Sequence, residues 1–155
     1  MKTINNTAKM LKAGSRFLYC WSGLNFFLSS LILTLVVFHV QNSPLLAMVF
    51  EKSVVAGFDV RVILAFNCLT ILYNSYAVAF SVLAWFVVRF SLSQGQKWAF
   101  WALLITIGFV EILAFIASAP FAHARWQVNI PLSALYIAGI GLSGYAVFKG
   151  DKIPK

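Results

Sequence analysis

Apolar positions fall into four long runs, Phe17–Val40, Val62–Val88, Trp98–Ala119 and Ile130–Phe148, separated by short polar stretches. The runs are 24, 27, 22 and 19 residues long, and a helix needs roughly 20 to cross the hydrocarbon core of a bilayer. None alternates with the period of two that marks a barrel strand, so each predicts a transmembrane helix. The second run is long enough to tilt or to project beyond the bilayer. Between the first two runs lies Gln41–Arg61, where Pro44-Leu45-Leu46-Ala47-Met48-Val49-Phe50 precedes Glu51 and Lys52. That pattern predicts a short interfacial or re-entrant helix. Asp59 is placed to cap the second span. The expected fold is all-α, an integral membrane four-helix bundle forming one domain over residues 1–155, with no internal repeat.

Composition strengthens this expectation. Of the 155 residues, 61% are hydrophobic and 10% charged. Ordinary soluble domains hold about 25% charged residues, and a globule of this size has too much surface to hide such an apolar excess. Disorder is excluded, because disordered chains are poor in aromatics and rich in charge. Cys20 and Cys68 form no C-x-x-C pair or zinc spacing, and both fall in apolar runs, so buried small side chains are expected. Lys2, Lys9, Lys12 and Arg16 before an apolar run resemble the start of a signal peptide. The run is longer than an h-region, and Phe38-His39-Val40-Gln41-Asn42 offers no A-x-A-like cleavage site, so a retained first helix is expected.

The net charge of +8 does not point to nucleic acid, because the cations sit at the ends of apolar runs and not in one block. Lys2, Lys9, Lys12, Arg16, Arg89, Lys97, Lys149, Lys152 and Lys155 fall on one side of the four spans. Lys52, Arg61 and Arg125 fall on the other. The positive-inside rule then places both termini in the cytoplasm, consistent with an even number of spans. Trp21, Trp85, Trp98 and Trp101 are expected near the inner boundary, where indole rings favour the headgroup level. Trp126 is expected in an outer loop.

Polar residues within the spans are the candidate chemistry, because a membrane makes them costly. With about 100° of rotation per residue, Asn67, Thr70, Asn74, Ala77 and Ser81 share about 80° of arc on the second helix. Ser22, Asn25, Ser29 and His39 share a face of the first. Serine and threonine at such positions usually join helices, as do the small-residue pairs Ala134/Ala138 and Gly139/Ser143. Glu111 is different. It lies about 20 Å beyond Trp98 by the helical rise, and should face the interior, find a partner or take up a proton. Asn74 is its expected partner, with Asn25 and Asn67 as further candidates. An outer rim gathers His39, Glu51, Asp59, Arg61, His123 and Arg125. No metal site is expected, because no histidine–carboxylate pair has i, i+3 or i, i+4 spacing. Phosphate-loop, dinucleotide, nucleophile-elbow and zinc-protease motifs do not occur, nor does an arginine ladder or a run of filter carbonyls.

Gly95-Gln96-Lys97-Trp98-Ala99-Phe100-Trp101 resembles the small bacterial four-helix membrane proteins grouped as DoxX-like, in which a glycine, a basic residue and Trp-Ala open the third helix. The resemblance implies a polytopic bundle in the bacterial inner membrane, sometimes tied to respiratory or redox membranes, and implies no catalytic residue. Phe58-Asp59-Val60-Arg61 leading to Asn67 is also similar to membrane glutathione transferases. Val62, Ile63 and Leu64 stand where that family has further arginines, which argues against thiolate activation.

The expected function is therefore a small inner-membrane protein that binds a lipophilic ligand, lipid or quinone-like, between its helices. Glu111, Asn74, Asn67 and Asn25 would orient that ligand. One alternative is a membrane enzyme using Glu111 as acid or base, assisted by His39 or His123. Another is an accessory or assembly subunit of a larger membrane complex, packing on another membrane protein or on itself. Membrane lipids are the expected partners in every case, and the sequence names no cofactor.

Overall fold

The computed structural model describes residues 2–38, 46, 50, 52–118 and 122–150. Helix α1 spans Lys2–Phe38, α2 Lys52–Ala56, α3 Val60–Phe90, α4 Lys97–Ser118 and α5 Ala122–Gly150, with a 3-10 turn at Leu92–Gln94. No strand occurs among the described residues. Four helices, over Asn6–Phe38, Val60–Gln94, Lys97–Ala114 and Ile130–Lys149, are long and apolar enough to cross a membrane.

Two helices outrun the expected spans. Helix α1 begins at Lys2 instead of Phe17, and α5 at Ala122 instead of Ile130. Hydropathy reports only the part of a helix suited to hydrocarbon, whereas backbone hydrogen bonding continues through any sequence that lacks a breaker. The start of α1 is amphipathic. Ser15 and Leu18 are buried while Lys9, Lys12 and Arg16 are exposed, the spacing of a helix with one packed face. In α5, Pro131 lies inside the helix and removes the donor that the carbonyl of residue 127 would otherwise receive. Most of the segment expected to form a re-entrant helix, 44–50, lies outside the described residues. Within it, Leu46 is buried and its carbonyl accepts the Phe50 N–H at 2.8 Å.

The chain divides into two compact units, Met1–Leu24 with Val82–Lys155, and Asn25–Ser81. In the first, the apolar core takes Leu18 and Trp21 from α1, Val88 from α3, Phe100, Leu103 and Ile107 from α4, and Tyr136, Ile140 and Val147 from α5. The α4 positions repeat every three to four residues and the α5 positions after one and two turns, so each helix lays one stripe inward. Helix α1 runs antiparallel to the end of α3. Tyr19 packs on Trp85 with ring centroids 5.9 Å apart, and a Cβ at Gly95 would stand 3.9 Å from Leu11 Cδ2. Gly95 closes the 3-10 turn at φ 78°, donating to the Leu92 carbonyl, in the left-handed region that glycine adopts without strain. Gly14 lets α1 approach α5 closely. A Cβ there would lie 2.7 Å from Ser143 N and 2.8 Å from the Gly139 carbonyl oxygen.

The second unit is packed in the opposite sense to a soluble protein. On α3, Asn67, Thr70 and Asn74 are buried, while Leu69, Leu72, Tyr73 and Tyr76 are exposed. Water would favour the reverse, and lipid favours this order because apolar side chains lose nothing by facing hydrocarbon. Asp59 Oδ1 accepts the Arg61 N–H at 2.9 Å and caps α3. Cys20 and Cys68, expected to be buried, are instead free and exposed. Hydropathy cannot separate the packed face of an apolar helix from the lipid face, and a thiol is at home on either.

Candidate functional site

Glu111 continues the inward stripe of α4 one turn beyond Ile107 and is half-buried. Its carboxylate holds donors from two other helices. Trp21 Nε1–H of α1 donates to Oε1 at 3.1 Å, and Ser133 Oγ–H of α5 donates to Oε2 at 2.5 Å. One turn along α5, Tyr136 packs its ring against Trp21 with centroids 5.9 Å apart. Its hydroxyl donates to the α4 carbonyls of Leu103 at 3.1 Å and Leu104 at 3.2 Å. Gly108 makes that approach possible, since a Cβ there would already stand 3.2 Å from the Tyr136 hydroxyl. Trp21, Ser133 and Tyr136 are all buried.

The partners of Glu111 are therefore Trp21 and Ser133, not the expected asparagine. Two of the asparagines spend their amides within the Asn25–Ser81 unit. Asn74 Nδ2 donates to the Thr70 carbonyl at 2.8 Å, and Asn25 Nδ2 donates to Ser81 Oγ at 2.9 Å. Asn67 is buried on the same face of α3. Thr70 and Ser81 in turn donate to the carbonyls of Phe66 and Ala77, one turn back on α3, at 2.9 and 2.7 Å. Such back-bonding lets a polar stripe satisfy its own donors. Trp21 is a packed residue bonded to Glu111. The rise along α1 from Leu11, which lies against the Gly95 turn, is about 15 Å, and Trp21 is 5% exposed. Trp85, Trp98 and Trp101 are exposed, as ring anchors at a headgroup level would be.

Most of the outer-rim residues lie outside what the structure describes. His39 and Glu51 are among these. His123 and Arg125 belong to the α5 backbone, and their side chains lie outside the described set. Asp59 serves as a cap, and Arg61 is exposed. Among the described residues, no three His, Cys, Asp or Glu side chains come within reach of one metal ion.

Sequence reasoning missed Trp21, Ser133 and Tyr136. Ser133, Tyr136, Ile140, Ser143 and Val147 follow helical spacing and are buried together, so the α5 stripe was the available signal. The small-residue pairs on α5 divide: Gly139 and Ser143 pack against α1, whereas Ala134 is exposed. Each carboxyl oxygen carries two lone pairs, and the two donors here leave capacity for a further donor.

Comparison of the chain with family models, with curated proteins and with solved structures finds no match. The chemistry of the Glu111 centre therefore rests on its own residues.

Proposed function

We propose that the protein is a four-span protein of the bacterial inner membrane, with both termini cytoplasmic, that holds a lipophilic ligand bearing a hydrogen-bond donor. A lipid hydroxyl or a quinol-like head fits this description. The observation that supports this reading is the half-buried Glu111 carboxylate, oriented by Trp21 and Ser133 on an otherwise apolar stripe. An apolar surround with a few placed polar groups is how small-molecule sites secure both affinity and orientation. Two donors from the protein fix the carboxylate plane, and the unused acceptor positions supply the recognition. The DoxX-like resemblance of Gly95–Trp101 accords with a bundle of this kind.

Ligand-retaining purification followed by mass spectrometry tests the proposal. Wild type should carry a lipophilic compound in fixed proportion, Glu111→Gln should keep part of it, and Glu111→Leu should lose it while remaining helical. The same extract from all three proteins would overturn the proposal and leave Glu111 as a helix clasp.

A further inference from the structure

On α3, Val62, Leu69 and Tyr76 recur every seven residues, as do Ala65, Leu72 and Ala79, and all six are exposed. Two positions per heptad form the seam that a helix offers to a parallel partner helix. By helical rotation this seam lies across α3 from Asn67, Thr70 and Asn74, whose side chains are buried. One face of the helix is thus spent within the fold, and the opposite face is not.

Lipid alone does not account for the outward face. Tyr73 and Tyr76 are 60% and 62% exposed, and neither hydroxyl has a hydrogen-bond partner among the described residues. Arg61 and Arg89, both exposed, mark the ends of the apolar stretch of α3. Each tyrosine lies roughly 20 Å from either arginine by the helical rise, near the middle of a hydrocarbon core about 30 Å thick. Tyrosine is out of place at that depth, because its ring favours the headgroup level, where the hydroxyl stays wet. A hydroxyl held in hydrocarbon without a partner is costly, and the bilayer core holds no water to supply one. The partner must come from another membrane-spanning chain.

We propose that this face of α3 pairs with the same face of a second copy, in a parallel two-fold dimer where Tyr76 of one copy meets Tyr76 of the other. Copies inserted by the same topology signals share one orientation. A two-fold axis along the membrane normal then sets each seam residue beside its counterpart at equal depth. The match is one of charge. An O–H presents a positive hydrogen and a negative oxygen, so a tyrosine hydroxyl, which both donates and accepts, is complementary to its own copy. A chain of different sequence would need a polar group of its own at that depth. Ala65 and Ala79, on either side of Tyr76 along the seam, let the two backbones approach. Tyr73 borders the seam one turn before Tyr76. The dimer is built without Glu111, and its outcome does not depend on the ligand proposed there.

The test uses the full chain in lipid bilayers, with Cys20 and Cys68 replaced by alanine. Under a mild oxidant, Leu72→Cys should cross-link into a dimer, and Ile112→Cys, exposed on α4, should not. Equal cross-linking at the two positions would mark random collision and overturn the seam. Energy transfer between donor- and acceptor-labelled copies, diluted stepwise in lipid, reads the dimerisation constant. Tyr76→Phe should weaken dimerisation about three- to twentyfold, the span of interhelical hydrogen bonds in membranes, at unchanged helicity. Ala79→Trp, which blocks the close approach from an exposed position, should weaken it more, and Ile112→Trp should leave it unchanged. An unchanged constant for Tyr76→Phe would overturn the tyrosine pairing that assigns the partner. A monomer at every dilution would overturn the dimer. A second polypeptide retained in fixed proportion by wild type and lost from Tyr76→Phe would overturn the self-pairing and give this face to a different chain.

Discussion

Replacing Glu111 by leucine removes the acceptor of two hydrogen bonds that join α4 to α1 and α5. In water, two stranded buried donors would cost about 1–3 kcal/mol each. Within a membrane the cost is smaller, because the separated helices also find partners; such bonds average about 0.6 kcal/mol and reach about 1.7. Two of them set the expected loss at about 1–2 kcal/mol. Insertion moves the other way, since a central acid costs roughly 2.5–3.5 kcal/mol on translocon scales. That gain belongs to placing the helix in the bilayer and not to packing it. Reversible unfolding in mixed micelles, followed by far-ultraviolet circular dichroism, reports the packing step. A double-mutant cycle between Glu111→Leu and Trp21→Phe isolates the Trp21 bond, with an expected coupling of about 0.6 kcal/mol or more. Additivity within about 0.3 kcal/mol, the behaviour of independent sites, would refute the clasp between α1 and α4. Glu111→Gln retains one acceptor oxygen and should lose less than the leucine variant.

Two further outcomes follow from the helix contacts and the charge pattern. Gly14→Ala should destabilise by about 1–3 kcal/mol, the range for overpacking, because backbone atoms of α5 block its Cβ. Gly141→Ala, with nothing within 4 Å of its Cβ, should be neutral or stabilising by up to about 1 kcal/mol; equal thermal shifts for the pair would refute the close approach. With Cys20 and Cys68 replaced by alanine, Ser43→Cys and Ser93→Cys should label with an impermeant maleimide from opposite sides, Ser93 from the cytoplasm. Labelling of both from outside would refute the topology.

Some of this protein is written in the order of its residues and some is not. Four membrane-length helices follow from the apolar runs, because the solvent preference of a long helix is a sum over its residues and needs no knowledge of neighbours. The cap at Asp59 is equally local: a carboxylate before a helix meets the orphan N–H groups of its own first turn. The inward position of the α3 polar stripe also follows from one helix, since lipid rejects asparagine wherever the partner helices lie.

What tertiary structure decided is which side chains meet. Depth counted from Trp98 places Glu111 mid-span, but it cannot say which helix is rotated to face it. Asn74 had the chemistry to serve, and its amide turned to its own backbone instead. Trp21 looked like a boundary residue because the apolar run begins at Phe17. It is instead packed inside the fold and bonded to Glu111. Ser133 carries no mark in the sequence that sets it apart from other span serines, and only its contact with Glu111 does so. The expectation of buried Cys20 and Cys68 failed for a related reason, since an apolar helix in lipid has no solvent contrast to tell one side from the other. Rotation and register come from close fits such as Gly14 on the α5 backbone. Those fits depend on two helices at once, which no single stretch of sequence contains.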